Sequence, residues 1–223
     1  VICTTKDRAK WLAQHANYTT ASAMPTILGM QHGSWSSRFS LFEKMVSGYK
    51  DDDGENERAE WGHLHEPTMR GVFAKRTGQK VRATNRFLAS REFPWIAATE
   101  DGMTWDELGN PGTLELKCTS MYESAWREGE IPDYVMAQIQ TQMLVRFGRS
   151  RGLGNLAVLF FGNDFHYVTG IEPHAVLQEH LIRESKSFYD LVVAGSPPEP
   201  DASDACRKAI GKLYPSPSAS TIS

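Results

Sequence analysis

Glu115 and Lys117 stand two residues apart in the run Thr113-Leu114-Glu115-Leu116-Lys117-Cys118. In a strand, alternate side chains share a face. Leu114 and Leu116 would then enter a core, while Glu115 and Lys117 share the opposite face. A carboxylate and an ammonium so placed can hold a metal ion and the water beside it. Asp101 follows an earlier strand-like run and precedes Gly102. A hairpin between the two runs would bring it beside Glu115. Two carboxylates at one place repel each other unless a cation lies between them. Hard oxygen ligands suit Mg²⁺, with Mn²⁺ as a substitute, because Mg²⁺ keeps several waters and accepts phosphate oxygens as further ligands. The chemistry such a centre serves is phosphodiester hydrolysis. The ion polarises a phosphoryl oxygen and acidifies a bound water. Lys117 would orient or deprotonate that water and stabilise charge on phosphorus. The competing reading of Glu115 and Lys117 is an ordinary salt bridge on an exposed strand face. The triplet alone fits both.

These residues need a scaffold, and the chain supplies one in the order helices, strands, helix, strands, helix. Residues 6–16 read as a short helix. Thr20 or Ser22 caps a second, reaching Met30, and Ser34, Ser36 or Ser37 caps a third near 38–47. A loop surrounds Gly54. Apolar residues from Arg58 to Arg76 (Trp61, Leu64, Met69, Val72 and Phe73) recur at helical spacing, with Pro67 expected to kink or break the run. Residues 81–89 read as one strand, Pro94 to Thr99 as another, and Thr113 to Cys118 as a third after the turn Asn110-Pro111-Gly112. A helix spans Tyr134 to Phe147. Strands 155–162 and 165–171 meet at the hairpin signal Gly162-Asn163-Asp164. A last long helix runs from Pro173 to Val193. The tail 195–223 is rich in Pro and Ser and reads as a flexible extension with a short helix near 202–213. The pattern is α/β with a mixed central sheet flanked by helices. Residues 1–194 read as a single domain, with N-terminal helices over 6–77 and a catalytic core over 58–194.

Composition narrows the class. The 223 residues are 40% hydrophobic and 23% charged, which is ordinary for a globular chain. No apolar run approaches the roughly 18 residues of a membrane span, and the N-terminus carries no signal-peptide pattern. Cys3, Cys118 and Cys206 form neither a disulfide framework nor a metal pair, which favours a reducing cytoplasm. The net charge of −3 is segregated. Residues 51–60 are mainly acidic. Residues 67–91 carry Arg70, Lys75, Arg76, Lys80, Arg82, Arg86 and Arg91 with no acid among them, and Arg146, Arg149 and Arg151 form a second basic cluster. Such segregation suits one DNA-facing surface and a repelling exterior. A solvated helix face with random loop charge is the alternative.

Five segments, in order, add specificity: Trp11 with Thr20-Ala21-Ser22; Trp61-Gly62-His63-Leu64-His65-Glu66; Ala98-Thr99-Glu100-Asp101-Gly102; Leu114 to Cys118; and Tyr134-Val135-Met136-Ala137-Gln138-Ile139-Gln140. Together they resemble the phage lambda exonuclease family, also called the YqaJ-type viral recombinase family, over roughly residues 8–190. The resemblance implies a PD-(D/E)XK restriction-endonuclease-like core. It implies that Asp101 and Glu115 are metal ligands, joined by the Leu116 carbonyl, that Lys117 is the catalytic lysine, and that Glu66 is an additional acid. Gln138 matches the family glutamine that supports the site. Gln140 and Gln142 are left open, since Gln140 would face away from Gln138 on a helix. Ser22 and Thr99 match positions whose hydroxyls hold a 5′ phosphate. His15 stands where the family usually has Arg, and it holds a phosphate only when protonated or as a single donor. Arg8 or Arg38 is the candidate to compensate. Glu100 stands where Pro is common and reads as an extra acid at the mouth of the site.

The activity implied is Mg²⁺-dependent 5′-to-3′ exonucleolysis of linear double-stranded DNA in phage-type recombination. The partners implied are DNA ends, copies of the chain in a closed ring, a trimer foremost, and a single-strand annealing protein. The Pro/Ser tail and the acidic stretch 51–57 are candidate docking surfaces for that protein. Two rivals remain: a PD-(D/E)XK endonuclease of resolvase or restriction type, and a DNA-end-binding protein with a vestigial site. His63 and His65, two apart on a helix, make no zinc pair. Cys118 reads as a small core hydrophobe, and most tryptophans read as core. Trp105 and Trp126 are the better candidates for base contact. No Walker motif is present.

Overall fold

The computed structural model describes residues 1–30, 36–48, 57–84, 86–120, 126 and 130–214. Nine strands and seven helices are assigned among them. The strands are β1 (Cys3–Thr4), β2 (Thr19–Thr20), β3 (Lys80–Ala83), β4 (Arg86–Ala89), β5 (Ile96–Thr99), β6 (Gly102–Trp105), β7 (Pro111–Thr119), β8 (Leu153–Phe160) and β9 (Asp164–Ile171). The helices are α1 (Arg8–His15), α2 (Met24–Ile27), α3 (Arg38–Ser47), α4 (Glu57–Thr77), α5 (Asp133–Phe147), α6 (Ala175–Ala194) and α7 (Asp204–Leu213).

The expected mixed sheet is present, but as two sheets. One has the order β3-β6-β7-β8-β9, the other β1-β4-β5-β2. The split has a clear line. β3 and β6 pair antiparallel up to Ala83 opposite Gly102, while β4 and β5 pair antiparallel from Phe87 opposite Thr99. The stretch expected as one strand over 81–89 is therefore two strands, one in each sheet. The partner strand makes the same crossing at Glu100 and Asp101. Those two acids sit where the ladder changes sheets, which releases their side chains from strict alternation.

β7 is the middle strand of the larger sheet. It pairs antiparallel with β6 and parallel with β8, and α5 lies in the connection that a parallel pair requires. Both faces of the sheet are covered. On one face, Met69 and Phe73 of α4 pack on Leu114, Leu116, Ala157 and Leu159. On the other, Val135, Ile139 and Met143 of α5 pack on Leu156, Val158 and Phe160. Each such side chain contributes roughly 1.5–3 kcal/mol when fully buried. Gly154 lets α5 approach β8, since a Cβ there would lie 2.5 Å from Ile139 Cγ2. Parallel pairing sets Glu115 beside Leu156 and Lys117 beside Val158. The polar face of β7 is thus turned toward α5, not toward solvent.

A third cluster joins the smaller sheet to the helices, with Met24, Ile27, Leu41, Phe42, Ile96, Leu144, Leu181 and Phe188 at its centre. Ser37 caps α3 and forms a reciprocal capping box with Ser40. α4 runs through Pro67 without interruption. The ring lies on the exposed side of the helix. The short helix expected in the tail is α7, which packs against α3 and buries Ala205 and Cys206. That part of the tail is therefore not a flexible extension. Residues 215–223 and most of the acidic stretch 51–57 lie outside the described residues.

Candidate active site

Asp101, Glu115, Lys117 and Gln138 come together, as expected. The Asp101 carboxylate is turned inward, and its Oδ2 accepts the Leu116 N–H at 2.8 Å. Glu115, 3% exposed, is held at both carboxylate oxygens. Oε1 accepts Lys117 Nζ at 2.7 Å and Gln138 Nε2 at 2.8 Å, and Oε2 accepts Gln142 Nε2 at 2.5 Å. Lys117 Nζ also donates to Gln138 Oε1 at 2.8 Å. One amide therefore orients acid and base together. The salt bridge between Glu115 and Lys117 is present, but on a central strand, with Glu115 buried under α5 and Lys117 partly exposed.

The enclosing surface is a single stripe of α5. Gln138, Gln142 and Arg146 recur at intervals of four and so share a helix face. Gln138 and Gln142 grip Glu115. The guanidinium of Arg146 meets both oxygens of the Glu100 carboxylate, Nε donating to Oε1 at 2.6 Å and Nη2 to Oε2. Glu100 is fully buried, so it is not an acid at the mouth of the site. Gln140 faces away, as helical geometry predicts, and accepts from His174 N and Gln178 Nε2 while donating to the Glu172 carbonyl. Gln142, left open by the sequence, belongs to the site. The signal for it was the four-residue spacing from Gln138.

Glu66 approaches from α4. Its Oε2 accepts Arg70 Nη1 at 3.1 Å, and the same nitrogen donates to the Asp101 carbonyl at 3.1 Å. Its Oε1 lies 2.8 Å from His63 Nδ1. Arg70 was read only as one of a basic cluster, yet its place one helical turn after Glu66 is the cue to its role. Arg58, His63, Glu66, Asp101, Glu115 and Cys118 line a cleft of about 280 Å³. Cys118 is exposed on that cleft and is not a core residue. A larger depression of about 530 Å³ on α6 gathers Arg149, His180 and Arg183, but it holds no acid pair and Arg149 is bridged there to Glu179.

Burial holds the Asp101 carboxyl well above the usual carboxylate range, and the charges of Glu115 and Glu66 push the same way. The Leu116 N–H and Lys117 oppose the rise without cancelling it. A cation beside the two acids would remove the conflict. Among the described residues, no three His, Cys, Asp or Glu side chains converge on one point. Zinc, which favours a dedicated set of three or four nitrogen and sulfur ligands, is a poor fit. Mg²⁺ needs only one or two carboxylates and completes its shell with water and phosphate, so Asp101 and Glu115 suit it. His63 and His65 diverge as expected, His65 turning to the Trp61 ring.

The residues expected to hold a phosphate are less uniform. Thr99 Oγ1 accepts Trp11 Nε1 at 3.3 Å, and the Ser22 hydroxyl is exposed, 3.2 Å from Thr20 Oγ1. His15 does not fit that role. It is 8% exposed and stacked on Phe87, with Nδ1 turned to the Trp11 carbonyl. Burial lowers its pKa to about 4, so it is neutral at physiological pH. Arg38 donates to the Ile27 carbonyl at 2.8 Å and lies over Phe188, which ties it to helix packing. Arg8 lies over the Trp11 ring, whose indole reaches Thr99. Trp126 packs edge-on against Phe160 in the core, contrary to its reading as a base contact. Trp105 closes β6 under the Arg82 guanidinium. Trp61, read as core, is instead 54% exposed beside the cleft.

Comparison with known proteins bears on this arrangement. An alkaline exonuclease from Laribacter hongkongensis shares the fold with a TM-score of 0.66 at 18% identity, over 92% of this chain and 99% of that one. The same enzyme in complex with dAMP gives 0.69 over the same coverage. A phage-related exonuclease from Haemophilus somnus 129PT gives 0.52 at 11% identity, over 80% of this chain and 96% of that one. Among curated proteins, none matches the sequence. Residues 10–149, which include every carboxylate, lysine and glutamine of the cleft, match the YqaJ-like viral recombinase domain, and the chain belongs to that family.

Proposed function

We propose that the protein is a Mg²⁺-dependent deoxyribonuclease that degrades one strand of linear double-stranded DNA from its 5′ end, in recombination of the phage type. The observation that carries this reading is the convergence of Asp101, Glu115 and Lys117, with Gln138 bonded to both of the latter. Family membership and the exonuclease fold of the neighbours support it. Asp101, Glu115 and the Leu116 carbonyl would hold the cation. When bound, the ion supplies Lewis acidity toward a phosphoryl oxygen and acidifies water. Lys117 has three N–H donors. Two are directed at Glu115 and Gln138, which leaves the third for the attacking water or the phosphoryl oxygen. Glu66, held by Arg70, lines the same cleft as an additional acid. Ser22 and Thr99, with Arg8 nearby, would receive the 5′ phosphate.

The exposed cations Lys75, Arg76, Lys80, Arg82, Arg86 and Arg91 give a basic surface for the DNA backbone. Arg70 and Arg146 serve the site itself. A closed ring of copies around DNA, a trimer foremost, and a single-strand annealing protein as partner complete the reading, which places the protein in the cytoplasm. Among the described residues, no helix is long and apolar enough to cross a membrane. The test is incubation with Mg²⁺ of linear duplexes labelled at either terminus, beside a covalently closed circle. Early release of the 5′ label with the circle intact is expected. A nicked or linearised circle would replace this reading with an endonuclease, and no cleavage with Mg²⁺ or Mn²⁺ would leave a DNA-end-binding protein.

A further inference from the structure

We infer that Gln142 is a positioning residue that sets how tightly the site takes a divalent cation. This rests on reading Glu115 as a cation ligand. Gln138 and Lys117 both act on Glu115 Oε1. Oε2 has Gln142 Nε2, at 2.5 Å. A carboxylate fastened at one oxygen can still turn about its terminal torsion, which is soft. Fastened at both, it presents its remaining lone pairs in one plane. The same Gln142 amide donates to the Thr99 carbonyl at 3.3 Å. It therefore ties Glu115 to the strand end that leads into Asp101.

The side chain is not placed for its own satisfaction. Gln142 is fully buried, and its Oε1 has no hydrogen-bond partner among the described residues. A buried acceptor without a partner is unfavourable, and an apolar residue of the same shape avoids that penalty. Both donated bonds instead go to the site. Gln140 offers the contrast two residues earlier. It is equally buried, but its amide is bonded at both ends to Glu172, His174 and Gln178, away from the carboxylates.

Outer partners of metal ligands are commonly worth 10–100-fold in metal affinity or activity. Isothermal titration of the full-length protein with Mn²⁺ alone measures the effect without turnover. Gln142→Met keeps the volume and removes the donor, and roughly tenfold weaker Mn²⁺ binding is expected. Gln140→Met is expected to keep wild-type affinity. Unchanged binding in Gln142→Met, with binding lost in Glu115→Gln, overturns the inference while leaving Glu115 a ligand. Equal weakening in both glutamine variants overturns it too, since the effect would then be general loosening of α5. Unchanged binding in Glu115→Gln overturns the ligand reading itself, and the inference with it. Should Gln142→Met fail to fold, Gln142→Asn, which draws the amide back by one methylene, is read in the same titration.

Discussion

Arg146 on α5 grips both oxygens of Glu100, the residue immediately before Asp101. The pair lies at the point where the chain leaves one sheet for the other, and it fixes the backbone from which Asp101 projects. Breaking a buried ion pair from one side strands a charge, at about 3–5 kcal/mol. Arg146→Ala should therefore lower stability by that order in urea unfolding. Glu100→Gln combined with Arg146→Met should recover much of it, because no buried charge remains. A single variant as stable as the wild type would show that the pair holds nothing.

The Asp101 carboxyl is raised by burial and by the neighbouring acids. Without metal, the folded protein therefore binds a proton that the unfolded chain releases. Stability should fall as pH climbs from the unfolded-state value of about 4 through the raised folded value. In EDTA, Asp101→Asn should exceed the wild type in melting temperature at alkaline pH, with the gap closing as pH falls toward about 4. Mg²⁺ should close it from the other side by stabilising the wild type alone. Melting curves over that range check both effects, and a gap that widens toward acid would contradict the sign.

Lys117 and Gln138 divide one task. Lys117→Ala should leave Mn²⁺ and DNA binding nearly intact and reduce turnover by about 10²–10⁴, the usual scale of a positioned proton-transfer group. Gln138→Leu unfastens both Lys117 and Glu115, so a loss of about 10–100-fold is expected. Single-turnover rates at saturating Mg²⁺ separate these effects from weaker binding. Glu115→Ala should abolish hydrolysis while sparing the fold.

The strand alternation at 113–118 and the helical spacing at 134–147 were legible because each records burial directly. Their mutual placement was not. The triplet at Glu115 and Lys117 fits a metal site and an exposed salt bridge equally, since nothing local to β7 announces that α5 covers it. The crossing at Glu100 and Asp101 was hidden for a related reason, because two strands in separate sheets look like one interrupted ladder. Trp61 looked like core by spacing, but a helix lying at the edge of a cleft leaves part of its apolar stripe exposed. The four-residue series Gln138, Gln142 and Arg146 was visible in the sequence. Its meaning needed to be joined to the acids it meets, which lie 23 to 46 positions away along the chain.

His15 sits between Trp11 and Phe87 as a neutral ring, with its pKa lowered to about 4. The unfolded chain takes up its proton near 6.5, so this residue withdraws stability as pH falls from there toward 4. His15→Phe should remove that component and flatten the melting-temperature profile between pH 6.5 and 4. The preference for a 5′-phosphorylated over a hydroxyl terminus should survive the same substitution, because a neutral buried imidazole offers the phosphate no charge. Arg8→Ala should reduce that preference instead, since its guanidinium lies over the Trp11 ring whose indole reaches Thr99. Initial rates on the two termini at pH 7.5 decide between them. A preference lost in His15→Phe and kept in Arg8→Ala would return the histidine to the phosphate pocket and require the Trp11 helix to shift when DNA binds.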